Sequence, residues 1–230
     1  METSEILGVK ISKVTMEQAV DAAASFSARG VCVVFTPNPE IIMFANSDEN
    51  YKKALNSADM LLADGIGVVM AASLLKRPLP ERVAGYDFVC RLLKAGYSFY
   101  LLGAKPSVAE RAAQKLINSG VNVVGHHHGY FDDDDTIIAD INEKKPDVLL
   151  VCLGAPKQEY WITQNKSQLP NCICVGAGGT LDVLAGEVKR APSFVQRANI
   201  EWLYRAIKQP SRFKRLLIIP KFLFKIIGGE

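Results

Sequence analysis

Short runs in which successive residues are apolar alternate along this chain with longer stretches whose apolar residues recur every three or four positions. The short runs fall at 31–36, 60–63, 98–103, 121–125, 147–154 and 172–176. A strand apolar on successive residues belongs in a sheet covered on both faces. The stretches at 40–55, 66–75, 86–94, 107–118, 136–144 and 158–165 carry the helical period, with Pro106 and Pro156 suited to helix starts. This order predicts an α/β fold: a Rossmann-like, doubly wound, mainly parallel sheet with helices on both faces and right-handed crossovers.

The pattern changes at Lys189-Arg190-Ala191-Pro192, which divides a catalytic domain at 1–190 from a C-terminal appendage at 191–230. Residues 199–209 read as a helix stopped by Pro210. Residues 211–227 interleave Arg212, Lys214, Arg215, Lys221 and Lys225 with ten bulky apolar side chains. The net charge of +3 conceals −5 over residues 1–188 and +8 over 189–230. Such a tail is too charged to span a bilayer. Interleaved cations and apolar residues suit a helix lying in an anionic interface, with a packed terminal helix or a homo-oligomer surface as alternatives. Nucleic acid is not expected, because the charge is confined to a hydrophobic tail. The first thirty residues lack the regions of a secretory leader, and the five cysteines show no metal-ligand pairing. The expected place of work is the cytoplasm, peripheral on the inner face of the membrane.

Candidate chemistry gathers where strands end. Thr36-Pro37-Asn38-Pro39-Glu40 follows the first strand, and Asp64-Gly65-Ile66-Gly67 the second. Loops at the carboxyl ends of parallel strands are where α/β folds bind ligands. Asp64 there can take a proton from an attacking hydroxyl, or it can simply cap the next helix; Asn38 reads either as part of a ligand-binding loop or as a cap. Gly154-Ala155-Pro156-Lys157-Gln158 and Gly176-Ala177-Gly178-Gly179-Thr180-Leu181-Asp182 are small-residue turns opening helices, suited to a diphosphate. Neither matches the dinucleotide fingerprint, since Leu181 stands where its third glycine belongs. Arg82 lies in a proline-stiffened loop and offers a guanidinium for phosphate. The run His126-His127-His128 before four aspartates has no zinc spacing, and the aspartates are expected to favour the start of the next helix.

An ordered set of motifs then resembles one family over essentially the whole chain. They are TPNPE (36–40), ADGIGVV (63–69), RPLPERVAGYD (77–87), LLGA (101–104), GHHHGYF (125–131), GAPKQE (154–159), GAGGTLD (176–182), KRAP (189–192) and EWLYR (201–205). The chain resembles the WecG/TagA/CpsF glycosyltransferases, most closely their TagA branch. The resemblance implies transfer of N-acetylmannosamine from UDP-N-acetylmannosamine to undecaprenyl-diphosphate-linked N-acetylglucosamine, with inversion, in wall teichoic acid synthesis. It implies Asp64 as general base. Thr36, Asn38, Arg82 and Gln158 would line the sugar and diphosphate, beside the turns of Gly154, Gly178 and Gly179. Tyr130 and Asp182 would meet the nucleoside, and Arg205, Arg212 and Arg215 the lipid diphosphate. It implies no bound metal and no other cofactor, the UDP-sugar being a substrate. At Arg197-Ala198-Asn199-Ile200 the chain departs from the glycine usual in related chains. Another UDP-sugar donor, a nucleotide-cofactor oxidoreductase and a membrane-surface scaffold are the rival readings.

Overall fold

The computed structural model describes residues 1–192, 195, 204 and 217–228. The expected helix at 199–209, the junction at 197–200, and Arg205, Arg212 and Arg215 lie outside the described residues.

Six strands form one sheet: β3 (Cys32–Phe35), β4 (Met60–Leu61), β5 (Ser98–Gly103), β6 (Asn122–His127), β7 (Val148–Cys152) and β8 (Ile173–Gly176). Their order is β4-β3-β8-β7-β5-β6, and every pairing is parallel. Strand alternation puts Val33, Phe35, Tyr100, Leu102, Leu149 and Val151 in one apolar cluster. Cys32, Val34, Phe99, Leu101, Val148, Leu150 and Cys152 belong to the cluster on the other face. Continuous apolar runs therefore fill two cores at once, as the sequence pattern required.

Helices α1 (Met16–Ser27), α5 (Gly85–Leu93), α6 (Pro106–Asn118) and α9 (Thr180–Leu184) bury residues in the second cluster. Helices α2 (Pro39–Ser47), α3 (Glu49–Asn56), α4 (Ile66–Leu74), α7 (Asp134–Lys144) and α8 (Lys157–Asn165) bury theirs in the first. The expected single helix at 40–55 is in fact α2 and α3. Asp48 leaves helical geometry at φ −132°, and its carboxylate then accepts from the Tyr51 N–H at 3.0 Å as the cap of α3.

The opening residues carry structure that the hydrophobic pattern did not reveal. Strands β1 (Thr3–Ile6) and β2 (Val9–Ser12) form an antiparallel hairpin around Leu7 and Gly8, both at positive φ. Primed two-residue turns require this, but Leu-Gly lacks the usual Asn-Gly or Asp-Gly signal. The hairpin shields the short edge strand β4, where the Leu61 N–H donates to Ser12 Oγ at 3.1 Å. Helix α1 begins in a capping box, with Thr15 and Gln18 each bonding the other's backbone N–H.

The described end of the appendage is a helix, Ile218–Ile227, packed across α2 and α4. Phe222 (0% exposed) and Ile226 belong to the first core cluster, and Ile219 reaches Gly67 at the start of α4. The opposite face carries Lys221, Lys225 and exposed Leu217, Phe224 and Ile227. Of the sequence alternatives, a packed terminal helix thus describes one face of this segment.

Two stability outcomes follow. Phe222→Ala should cost about 3–5 kcal/mol in urea denaturation by opening a cavity where this helix meets α2 and α4. Asn38→Ala should cost about 1 kcal/mol by removing the α2 cap, and Asn38→Asp should restore it.

Candidate active site

Parallel pairing brings every loop that follows a sheet strand out at one edge. Across that edge the order is Asp64 after β4, Thr36 and Asn38 after β3, Gly178 and Gly179 after β8, Gly154 and Gln158 after β7, and Tyr130 after β6.

Two of these loops, and the Arg82 loop that follows α4, are stitched into one surface by backbone hydrogen bonds. The Asp64 N–H donates to Pro37 C=O at 3.1 Å, and the Val83 N–H to Ala63 C=O at 3.0 Å. The first sets Asp64 beside the Thr36–Asn38 loop, and the second sets Arg82 beside Asp64. Thr36 packs against the first residue of α5, Gly85, where an added β-carbon would stand 2.8 Å from Thr36 Oγ1. Thr36, Asn38, Asp64 and Arg82 are all half-buried, so the four are brought together at a wall that solvent still reaches.

The two readings left open by the sequence part here. Asn38 is the cap of α2, its Oδ1 accepting from the Ile41 N–H at 3.0 Å. Asp64 is not a cap: Gly65, at φ 103°, holds that position in α4, and no side chain caps the helix. A φ in that region suits glycine, and it lets the chain turn sharply after Asp64.

The other half of the edge is built on glycine turns. Gly154 and Gly178 have φ of 77° and 52°. Gln158 is 3% exposed and spans between them: its Oε1 accepts from the Gly178 N–H at 3.0 Å, and its Nε2 donates to Glu159 at 2.8 Å. Both ends of the amide are thus engaged within the protein, which makes Gln158 a strut of the glycine turn. Asp182 folds back on the same turn, with Oδ2 3.5 Å from where a β-carbon of Gly179 would lie. Tyr130 is 65% exposed at the far end. Its loop is held by Lys157, which donates to Gly129 C=O at 3.2 Å and lies over the Phe131 ring.

Sequence reasoning assigned no role to Glu159, a carboxylate 1% exposed whose pKa burial raises above the usual range. Nothing in the residue order separates it from an ordinary first-turn glutamate. Arg190, at the proposed boundary, was read only as part of a motif. It pairs with Asp87 at 2.6 Å and covers the Tyr86 ring at 4.6 Å, fastening the chain's exit to the first turn of α5.

Other charged groups are spent on structure. Asp133 caps α7, and Asp134 accepts from Trp161 Nε1 at 2.9 Å and Asn165 Nδ2 at 3.2 Å. This is the helix-start role expected of the aspartate run. Among the described residues no three His, Cys, Asp or Glu side chains converge as a metal cluster. Burial lifts the thiols of Cys32, Cys152 and Cys172 to about 12, which makes them poor nucleophiles. A cavity of about 410 Å³ lies between the α6 start and His126–His128; none of Thr36, Asn38, Asp64 or Arg82 lines it. Among the described residues no helix is long and apolar enough to cross a membrane.

Comparison with known proteins places the chain in a family. The family model described as "Glycosyl transferase WecG/TagA/CpsF family" matches residues 4–229. A Staphylococcus aureus (strain MW2) protein named N-acetylglucosaminyldiphosphoundecaprenol N-acetyl-beta-D-mannosaminyltransferase is 39% identical over 235 residues, covering 98% of this chain and 92% of its own. The protein of the same name from strain NCTC 8325 / PS 47 matches with the same identity and coverage. A match of this extent takes in the whole sheet, the glycine turns and the tail together, and the chain belongs to the WecG/TagA/CpsF glycosyltransferase family.

Proposed function

We propose that this enzyme transfers N-acetylmannosamine from UDP-N-acetylmannosamine to undecaprenyl-diphosphate-linked N-acetylglucosamine at the cytoplasmic face of the membrane. The transferred sugar and the lipid-linked acceptor are those in the name of the Staphylococcus aureus relatives. The observation that carries it at this site is the stitched wall: an aspartate that does not cap α4, held beside an arginine loop and tied through its N–H to Pro37 in the loop of Thr36 and Asn38.

Asp64 accepts the proton of the acceptor hydroxyl as its oxygen bonds the anomeric carbon from the side opposite UDP. The bond from that carbon to the diphosphate oxygen breaks, and its electron pair leaves with UDP, so the configuration inverts. Arg82 and the Gly179 backbone N–H of the turn at 176–179 receive the charge that develops on the diphosphate. On this reading no metal is required. Tyr130 and Asp182 take the nucleoside, and Arg205, Arg212 and Arg215 take the acceptor's diphosphate.

The exposed face of the C-terminal helix supports docking on the bilayer, where a polyprenyl acceptor resides. Leu217, Phe224 (76% exposed) and Ile227 stand out beside Lys221 and Lys225. Phe44 of α2, and Met70 and Leu74 of α4, are exposed on the helices beneath it. Exposed apolar side chains interleaved with Lys221 and Lys225 match an anionic lipid surface.

Asp64→Asn should lower turnover about 10²–10⁴-fold while UDP affinity stays near wild type, with radiolabelled sugar transfer and calorimetry as the two readouts. Full activity in Asp64→Asn would remove the base assignment, and loss of activity in EDTA would remove the metal-free mechanism. Phe224→Ser with Lys221→Glu should weaken sedimentation with phosphatidylglycerol vesicles about tenfold or more and leave transfer to a short-chain soluble acceptor intact. Unchanged vesicle binding would argue against docking by this face.

A further inference from the structure

We propose that Glu159 is a positioning residue for the donor side of the site: its buried carboxylate holds the Gln158 amide in the one orientation that turns Oε1 toward the Gly178 N–H. The inference rests on the reading above that the turn at 176–179 meets the donor diphosphate.

An amide has two unlike ends, and the pocket of Gln158 distinguishes them. On one side stands a backbone donor, the Gly178 N–H at 3.0 Å; on the other stands an acceptor, Glu159 Oε1 at 2.8 Å. Flipping the amide would set donor against donor and acceptor against acceptor. Glu159 Oε1, the acceptor in this arrangement, carries no hydrogen to relieve that clash. Without Glu159 the Nε2 end would lose its acceptor, and the single Gly178 N–H would be left to select the orientation of the amide.

The consequence reaches the glycine turn. The Ala177 N–H donates to Val151 C=O at 2.9 Å and the Thr180 N–H to Ala177 C=O at 3.1 Å, so backbone secures both ends of the turn. Gly178, in the left-handed region between them, is held by the Gln158 side chain. The neighbouring Gly179 is exposed, and its N–H makes no hydrogen bond among the described residues. Holding Gly178 inward leaves Gly179 as the donor that this turn can offer to a phosphate oxygen.

Burying a carboxylate is costly, and a residue serving packing alone would be apolar at this depth. Glu159 Oε2 makes no aligned hydrogen bond among the described residues, although the Tyr51 hydroxyl of α3 approaches the same carboxylate. Both groups are almost wholly buried. The arrangement spends stability on the orientation of one amide.

The test compares wild type, Glu159→Leu, Glu159→Gln and Gln158→Leu by amide hydrogen exchange at Gly178 and by calorimetry with UDP. Glu159→Leu should speed Gly178 exchange at least tenfold and weaken UDP about tenfold without lowering Tm. Glu159→Gln keeps an amide oxygen for Gln158 Nε2 and should restore both to within about threefold. Adding Glu159→Leu to Gln158→Leu should produce no further loss. Wild-type Gly178 exchange in Glu159→Leu overturns the proposal, as does Glu159→Gln being equally defective. Should Glu159→Leu not fold, Gln158→Leu must itself release Gly178, and unchanged exchange there overturns the proposal too. If Gly178 exchange follows this pattern while wild type binds no UDP, the positioning role stands and the donor reading fails.

Discussion

Parallel hydrogen bonding of β3 to β4 on one side and β8 on the other constrains most of what this protein can do. The register pairs Phe35 with Leu61 and with Gly176, so three strands end level with one another. Whatever follows those ends must share one edge: Thr36 and Asn38, Asp64, and the Gly178 turn. Residues more than a hundred positions apart become neighbours without any direct contact having to bring them together. The same pairing explains the apolar runs, because a parallel sheet with helices on both faces leaves its strands no wet side.

The two edges of the sheet treat their acids differently. At the amino edge Asp59 accepts from the Val33 N–H and Lys166, and Asp147 accepts from the N–H and hydroxyl of Ser98. Those carboxylates are consumed in holding strands together. At the carboxyl edge, glycines at positive φ take over the sharp turns. Gly65 enters α4 in place of a capping side chain, so Asp64 stands before the helix start, in the wall with Pro37 and the Arg82 loop. Two amides on that edge are spent inside, Asn38 on the cap of α2 and Gln158 on the glycine turn, and the chemistry Gln158 supports is carried by the backbone it holds.

The C-terminal helix joins two environments. Phe222 and Ile226 complete a core begun by α2 and α4, while Phe224, Lys221 and Lys225 face away from it. Because α2 and α4 are the helices that follow Asn38 and Asp64, a surface that docks through this helix stands one helix away from the candidate base. Arg190, clasped by Asp87 and Tyr86, fixes where the chain leaves the first turn of α5, next to Thr36.

Residue order by itself determined the layer architecture, the six sheet strands, the change of character after Lys189 and the motif series, since these depend on local period, composition and spacing. It left the hairpin and α1 unread, because a Leu-Gly turn and a short capping box are weak signals beside long apolar runs. It ran 40–55 together as one helix, since Asp48 breaks it only through a cap whose geometry appears after folding. Whether Asp64 or Asn38 caps a helix, which end of Gln158 faces Gly178, and that Glu159 is buried were decided by tertiary structure alone. The caps depend on the backbone angles taken at each helix start and the rest on which groups stand opposite one another, and chain order records neither.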